Sequence, residues 1–320
     1  MAHINENKAP VIAIVAPCYN EELIVHQSYE ILSEYLAKLI SLKKVDSDSF
    51  LVFVDDGSTD KTYQILQQIN IDDSGTKVIK FSRNYGHQNA ILAGMFTFYK
   101  EVDCVITLDV DLQDDIQVIE NMLLDFSKGH QIVYGVRSKR DKDSIFKKKT
   151  AELFYNLMHF MGVELVFNHS DYRLASKEVI DELTKYDEAN LFLRGIFPLL
   201  GFRSSIVYYE RKERTAGETK YPFLKMFSFA LDGITSFSVR PLRMVTFIGL
   251  LIFLLSLVLS AYTVFSFFYL KVVPGWASIV LPIYFLGGVQ LLSIGILGEY
   301  IGKIYKEVKR RPRFIVEKVL

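Results

Sequence analysis

The chain has 320 residues, 50% of them hydrophobic, with 37 basic and 37 acidic side chains. Its zero formal charge argues against a nucleic-acid-binding protein, which usually has a basic excess, and against a disordered acidic chain. The two cysteines, Cys18 and Cys104, are too few for a disulfide framework or a cysteine zinc site. We expect both thiols to be buried and reduced.

Short apolar segments alternate with helical stretches over residues 1 to about 215. The pattern predicts strands at 11–16, 50–54, 78–81, 104–108 and 131–134, and helices at 22–42 and 87–99. Strands separated by helices imply βαβ units and a mostly parallel sheet. Ligands of such sheets bind beyond the carboxyl ends of the strands.

Two pairs of carboxylates follow predicted strands at that edge of the sheet. Asp55 and Asp56 end the second strand, and Asp109 and Asp111 follow the fourth. Oxygen ligands of this kind suit Mg²⁺ or Mn²⁺. Because the chain has neither a P-loop nor a G-x-G-x-x-G motif, we expect the metal to neutralise a pyrophosphate leaving group. Many surface loops contain Asp-x-Asp by chance, but its position after a buried strand favours a functional site.

Two long uncharged runs, at 244–270 and 277–298, follow the strand-and-helix region. As a helix the first would extend about 40 Å at ~1.5 Å per residue, more than the ~30 Å of a bilayer core. Buried helices of a soluble core are the alternative reading. Two consecutive runs of this length favour a membrane hairpin instead.

Basic residues lie before the first run and after the second, with only one in the loop between them. Arg240 and Arg243 precede the first run, whereas the connecting loop has only Lys271. Further basic residues follow the second run: Lys303, Lys306, Lys309, Arg310, Arg311 and Arg313. Since positive residues concentrate on the cytoplasmic side of membranes, we predict an integral membrane protein with two spans. Its large N-terminal region and both termini would then be cytoplasmic.

The segment 222–238, before the hairpin, has apolar side chains at helical spacing and only two charges. Such a segment can lie in the membrane interface; packing against its own catalytic domain or against a neighbouring subunit of a homo-oligomer stays open. We therefore expect four regions: a catalytic domain at 1–215, an amphipathic juxtamembrane segment at 216–242, a transmembrane hairpin at 243–302 and a basic cytoplasmic tail at 303–320.

Six motifs give the chain a family resemblance. They are A-P-C-Y-N-E-E at 16–22, V-D-D-G-S-T-D at 54–60, S-R-N-Y-G-H-Q at 82–88, L-D-V-D-L-Q-D at 108–114, D-Y-R-L at 171–174 and R-T-A-G-E-T-K-Y-P at 214–222. Together they resemble the family 2 inverting glycosyltransferases with a GT-A fold. Within these, the chain is most similar to the polyprenyl-phosphate glycosyltransferases, the dolichol-phosphate mannose synthase group, and particularly to the bactoprenol glucosyltransferase branch with a C-terminal membrane hairpin. The chain departs from that pattern at Asp115 and Ile116, where the family often has prolines.

The resemblance implies an α/β fold: a GT-A, Rossmann-like catalytic domain with a mostly parallel sheet, an amphipathic interfacial helix and two transmembrane helices. It also implies a function, the transfer of glucose from UDP-glucose with inversion to undecaprenyl phosphate. The implied partners are a nucleotide sugar, a polyprenyl phosphate lipid and a membrane of the bacterial inner-membrane type, with Mg²⁺ or Mn²⁺ as cofactor. The sugar stays open between glucose, mannose and a modified pentose, because a change among them would need few substitutions.

Residue roles follow from the same resemblance. The residues implied to bind the nucleotide sugar are Pro17, Tyr19, Glu21, Asp55, Asp56, Arg83, Asn84, Asp109, Arg140, Arg214 and Lys220. The residues implied to bind or orient the metal and the sugar diphosphate are Asp109, Asp111 and Gln113. Arg137 and Arg140 would contact phosphate oxygens, a task suited to a guanidinium; for the lysines that follow, a solvated basic face is favoured.

Two of the implied site residues keep an open role. Asp171 would lie beside the anomeric carbon as a base or as an orienting group, with a structural salt bridge to Arg173 as the alternative. A lipid phosphate acceptor is largely anionic at neutral pH if its second pKa is near ~6, so a strong base is less necessary than for a hydroxyl. His87 is equally compatible with packing at a helix start and with ligand binding.

Two other functions fit parts of the sequence. A processive polysaccharide synthase would share the GT-A core, but it usually has a Q-x-x-R-W motif and more spans, and the only tryptophan here is Trp276. A catalytically inactive membrane scaffold would have no physical need to keep paired carboxylates. The transferase is therefore the favoured function.

Overall fold

The computed structural model describes residues 9–138, 169–188, 192–210, 238–269 and 276–320. In chain order their elements are β1 (Ile12–Cys18), α1 (Val25–Ser41), β2 (Phe50–Asp55), α2 (Thr62–Asp72), β3 (Lys77–Phe81), α3 (His87–Phe98), β4 (Cys104–Thr107), α4 (Val118–Ser127), β5 (Ile132–Arg137), β6 (His169–Ser176), α5 (Lys177–Thr184), α6 (Leu193–Leu199), β7 (Ser204–Tyr209), α7 (Arg240–Tyr269), α8 (Trp276–Val308) and β8 (Val316–Val319). They form two compact units, one with all of these strands and α1–α6, the other with α7 and α8.

The strands form one sheet in the order β7-β5-β6-β4-β1-β2-β3-β8. The central strands β4, β1, β2 and β3 are parallel to one another. β6 is antiparallel to both β4 and β5, and β8 is antiparallel to β3. The predicted mostly parallel sheet with helices is thereby confirmed.

Both faces of the central sheet are covered, which explains its continuous apolar strands. Every residue of β1 is buried, as expected for a parallel strand between two helical layers. On one face Ile12 and Ile14 join the core formed with α1 and α4. On the other face α3 lies so close that a Cβ on Gly94 would meet the Val15 side chain at 2.3 Å.

The structure adds strands that the apolar pattern does not predict. β6 has the sequence H-S-D-Y-R-L-A-S. It is mostly buried, but its charged and polar residues give it no apolar pattern. β8 lies in the region expected to be a basic cytoplasmic tail, and its exposed, charged Glu317 and Lys318 are typical of an edge strand. Residues 316–319 therefore belong to the sheet.

The described residues of the second unit form two long helices. α7 and α8 cover the two uncharged runs, and α8 begins at Trp276 and continues beyond the expected end of the hairpin to Val308. Within this unit the Tyr300 hydroxyl donates a hydrogen bond to the Ser238 carbonyl. Among the described residues, one stretch, at 285–308, is long and apolar enough to cross a membrane. The predicted amphipathic segment up to residue 237 lies outside the described residues.

Candidate active site

The topology brings the two acidic motifs and Asp171 to the same edge of the sheet. β2 ends at Asp55 and β4 at Thr107, so the residues that follow lie at the carboxyl edge. β6 runs antiparallel to β4 with Arg173 opposite Thr107, which places Asp171 at that edge too. Thr107 Oγ1 donates a 2.5 Å hydrogen bond to the Asp171 carbonyl and fixes this end of β6.

The centre of the site is an arrangement of two carboxylates around one imidazole. His87 Nε2 lies 3.3 Å from Asp109 Oδ1 and 3.8 Å from Asp171 Oδ2. His87 is the first residue of α3 and is partly exposed. The sequence left its role open, and the structure places it between the D-x-D motif and Asp171.

Two arginines hold Asp171 in its ionised form. Arg173 Nη2 lies 2.8 Å from Oδ1, and Arg194 Nη2 lies 3.2 Å from Oδ2. Burial by itself raises the pKa of Asp171, but the Arg194 and Arg173 guanidiniums outweigh it and hold this pKa well below its ordinary value. A carboxylate with such a pKa is a weak proton acceptor at neutral pH. The structure therefore shows the Arg173 salt bridge and favours the orienting role over the base.

Asp109 lies in the opposite electrostatic environment. Desolvation raises its pKa to about 6; His87 opposes this, and the nearby Asp114, Asp171 and Asp111 carboxylates add to it. Several negative charges close to a partly exposed carboxylate favour a bound cation.

The carboxylates of the D-x-D motif fit a divalent cation that takes some of its ligands from the protein and the others from the substrate. The D-x-D turn is tight, with Leu112 at φ 49° and the Gln113 amide donating to Asp111 Oδ1 at 3.2 Å. Among the described residues, no three acidic, histidine or cysteine side chains form a metal cage. Mg²⁺ usually takes one or two carboxylates together with substrate phosphates, and Asp109 and Asp111 provide that number.

The residues predicted to bind the nucleotide lie at the ends of β1, β2 and β3. Asp55 is fully buried, and burial raises its pKa. Its Oδ1 accepts from the Ser58 amide at 3.2 Å, while its Oδ2 has no hydrogen-bond partner among the described residues. A buried acceptor without a partner suits a ligand N–H or hydroxyl. Pro17 is buried within β1 and Tyr19 is exposed beside it.

Asp56 has a structural task in the same region. Its carboxylate accepts from the Tyr85 amide at 2.6 Å and from the Gly86 amide at 2.9 Å. It therefore fixes the loop 82–86, which carries Arg83 and the exposed Asn84. The structure shows Asp56 holding this loop, and its role in nucleotide binding stays a prediction.

Glu21 holds the loop after β1. Its carbonyl accepts from the amides of Ile24 and Val25, and its own amide donates to Thr62 Oγ1 at 2.8 Å. These contacts fix the backbone at Glu21 against the first residue of α2. The loop that carries the side chains expected to meet the base is thus held at Glu21.

Arg137 takes part in a buried network at the other end of the site. The Tyr209 hydroxyl donates to Asp114 Oδ1 at 2.6 Å and lies 2.8 Å from Ser170 Oγ. Arg137 Nε donates to the same hydroxyl at 3.3 Å, and its Nη2 lies 3.6 Å from Asp114 Oδ1. Tyr209 thus joins the loop after the D-x-D motif, the residue before Asp171 and Arg137. The predicted Arg140, Arg214 and Lys220 lie outside the described residues.

Comparison with known proteins assigns the family. A model of glycosyl transferase family 2 matches residues 13–184, which include the sheet edge described above, and a model of the GtrB C-terminal hairpin matches residues 240–304. The chain belongs to glycosyl transferase family 2. Its GT-A-like fold class and its identification as a transferase are thereby confirmed, and the hairpin match supports association with a membrane.

The similarity to curated relatives extends over nearly the whole chain. It is 48% identical over 308 residues to "Uncharacterized glycosyltransferase YkoT" of Bacillus subtilis, covering 96% of this chain and 91% of that protein. It is 39% identical over 309 residues to the SfII prophage-derived bactoprenol glucosyl transferase of Shigella flexneri, covering 96% and 97%. A solved glucosyl-3-phosphoglycerate synthase from Mycobacterium tuberculosis is 18% identical, with a TM-score of 0.45 and coverage of 71% and 79%.

Sequence reasoning did not assign a role to three residues of this family 2 site. Arg194 and Tyr209 come from elements far along the chain from the D-x-D motif, and no local pattern marks them. For His87 the sequence is compatible with two roles, packing at a helix start and ligand binding. The S-R-N-Y-G-H-Q motif is the signal that points to His87 as a site residue, because it ends at a helix start on the carboxyl edge of the sheet.

The Tyr209 network gives a direct prediction. We expect Tyr209→Phe to lower kcat about 10-fold, since it removes a hydrogen bond to a carboxylate without changing the ring. The affinity for the expected nucleotide, UDP, should fall less than kcat, because Asp55 and the loop 82–86 are untouched and only the phosphate contact expected of Arg137 is disturbed. Steady-state kinetics and calorimetric UDP titration measure the two effects. Tyr208→Phe, on the exposed face of β7, is the matched control, and an equal loss in both variants would contradict the role.

Proposed function

We propose that this protein transfers glucose from UDP-glucose, with inversion, to undecaprenyl phosphate in a bacterial inner membrane. The observation that carries the proposal is the meeting of Asp109 and Asp171 around His87 at the carboxyl edge of the sheet. The similar Shigella flexneri protein, named a bactoprenol glucosyl transferase, supports both the sugar and the lipid acceptor. The hairpin match supports a membrane-bound acceptor.

The chemistry is a direct displacement at the anomeric carbon. A phosphate oxygen of the acceptor forms the new bond to this carbon while the bond to the UDP oxygen breaks, and UDP leaves with the electron pair. Attack from the side opposite UDP inverts the configuration. With a second pKa near ~6 the lipid phosphate is already largely anionic, so the weakly basic, arginine-bound Asp171 serves to orient the reactants.

Asp109, Asp111 and Gln113 would hold Mg²⁺ or Mn²⁺ together with the diphosphate of the donor. When bound, the metal would neutralise the negative charge that develops on departing UDP. Arg137, and with it Arg140, Arg214 and Lys220, would add positive groups for phosphate oxygens. Asp55, Tyr19, Glu21, Arg83 and Asn84 would surround the base and ribose.

A panel of nucleotide sugars tests this function. Purified protein is incubated with UDP-glucose, UDP-galactose, GDP-mannose or UDP-pentose, with and without undecaprenyl phosphate, and release of the nucleoside diphosphate is followed. The proposal expects release from UDP-glucose that depends on the lipid and one sugar per lipid. A polysaccharide synthase would release UDP continuously and form polymer, and an inactive scaffold would release none.

We further propose that α7 and α8 span the membrane twice, with both ends of the hairpin in the cytoplasm. The native thiols of Cys18 and Cys104 are buried, so single cysteines introduced elsewhere can be labelled selectively. In intact cells a membrane-impermeant maleimide should label Lys271→Cys, and it should label Lys318→Cys only after the membrane is opened. Labelling of Lys318→Cys but not of Lys271→Cys in intact cells would reverse the orientation.

A further inference from the structure

The last residues of the chain complete the sheet beside the proposed nucleotide site. β8 pairs with β3, with Val316 opposite Phe81. The Ser82 amide donates to the Ile315 carbonyl at 3.2 Å, so the pairing continues to the point where the chain leaves β3. At the other end Leu320 packs against the core. The segment 313–320 therefore directly adjoins the loop 82–86.

A stack of side chains connects this segment to the loop. The Phe314 ring lies on the Phe81 ring, with centroids 5.1 Å apart and planes at 17°. Phe81 is buried, and its ring also meets the Tyr85 ring edge-on at 5.6 Å. Arg83 completes the stack, since its guanidinium lies 4.1 Å from the centre of the Tyr85 ring. Phe314 thus supports, through two rings, the side chain predicted to border the nucleotide.

The rest of the loop is held from the side of β2. Asp56 accepts hydrogen bonds from the Tyr85 and Gly86 amides. Gly57, at φ 66°, lies so close to the loop that an added Cβ would be 2.3 Å from the Arg83 carbonyl carbon. These contacts fix the backbone of the loop. The Tyr85 hydroxyl also lies 3.3 Å from Ser82 Oγ and Arg83 Nη1 donates to the Asn84 carbonyl at 3.2 Å, but the faces of both side chains are packed by the aromatic stack. Phe314 is the outer end of that stack.

We propose that Phe314 is a positioning residue for the nucleotide, acting through Phe81 and Tyr85 on Arg83. This inference rests on the proposed function, in which Arg83 and Asn84 border the nucleotide. Phe314 lies two residues before β8, so a segment distant in sequence contacts the loop that follows β3 through the Phe81 ring. We expect the Phe314 ring to affect nucleotide affinity and not turnover, because Asp109, Asp171 and His87 are held by contacts outside the stack.

β8 has anchors that do not depend on the Phe314 ring. Glu317 Oε2 lies 2.9 Å from Lys80 Nζ. The Arg313 guanidinium donates to the carbonyls of Tyr186 and Glu188. Replacing Phe314 therefore leaves the strand docked, and the effect of the ring can be measured separately from the loss of the strand.

The test compares Phe314→Ala, Phe314→Tyr and Ile315→Ala in the full-length protein. Loss of the stacked ring should raise the Kd for UDP and the KM for UDP-glucose about 3- to 10-fold, with kcat within about 2-fold of the original. Phe314→Tyr keeps the flat ring, so its Kd for UDP and its KM for UDP-glucose should equal those of the unmodified protein. Ile315→Ala removes an exposed apolar side chain from the next position and should change neither.

The outcomes are separable from those of the proposed function. Original UDP affinity in Phe314→Ala would overturn the inference, and so would a fall in kcat at unchanged KM. If Phe314→Ala does not fold, the KM and Kd of Phe314→Leu, which keeps apolar bulk without a flat ring, decide between the same results. Failure of the unmodified protein to bind UDP or to use UDP-glucose would instead contradict the proposed function.

Discussion

Replacing Asp109 or Asp111 with asparagine is expected to lower sugar transfer by about 10³-fold, the scale of losing a group that stabilises leaving-group charge. Asparagine keeps the shape of the side chain but removes the negative charge that a divalent cation needs. The folded state should survive, because Asp109 already lies in a cluster of like charges that burial makes costly. Turnover measured against Mg²⁺ and Mn²⁺ concentration checks the prediction.

The matched control is Asp48→Asn, an exposed carboxylate in the loop before β2, which begins at the opposite edge of the sheet. It should leave the turnover and the metal dependence unchanged. The unmodified protein should lose activity in excess chelator and recover it when metal is restored. Full activity in chelator, or in Asp111→Asn, would remove the metal from the account.

The second large effect is expected for Asp171→Asn, with a fall in kcat of about 10²-fold or more, as for loss of a positioned acid–base or orienting group. The affinity for UDP should be nearly intact, since Asp171 is on β6 and the proposed base site is on β1 and β2. Because two arginines lower the pKa of Asp171, we expect the acidic limb of the pH–rate profile to keep its shape in the variant. The second pKa of the acceptor phosphate would then determine the position of that limb.

Asp171→Asn leaves the fully buried Arg173 with a weaker partner, so stability must be measured together with rate. We expect a lower Tm, because an uncompensated buried charge is costly. Asp181→Asn, on α5 and half-exposed, is the control and should keep both Tm and rate. Flattening of the acidic limb in Asp171→Asn would show a base instead of an orienting group. Original transfer rates would leave Asp171 as a structural partner of Arg173.

The buried parallel strands could be predicted from the sequence because burial on both faces makes them continuous apolar runs. I-A-I-V-A and F-L-V-F-V have no polar residue, and their ends are correct within two residues. β6 could not be found this way, since Asp171 and Arg173 form an ion pair inside the sheet and make its sequence polar. β8 is a four-residue edge strand, and its pairing with β3 is a contact between distant parts of the chain.

The same distinction applies to the site. The motifs that follow apolar strands, around Asp55 and Asp109, could be placed at one edge by topology alone. The partners that determine their electrostatics could not: Arg194 is 23 residues from Asp171 and Tyr209 is 95 residues from Asp114. The role proposed for Phe314 depends on its stacking on Phe81 of β3 from a distant part of the chain, which no local pattern records.

The most direct test of the proposed function is the structure of the product formed by the purified protein from UDP-glucose and undecaprenyl phosphate. The product is extracted into organic solvent, and NMR coupling at the anomeric proton and to phosphorus gives the linkage. Since the donor carries an α-linked sugar, the proposal predicts one β-linked glucose joined to the lipid by a phosphodiester. Free glucose, a polymer or an α-linked product would contradict it.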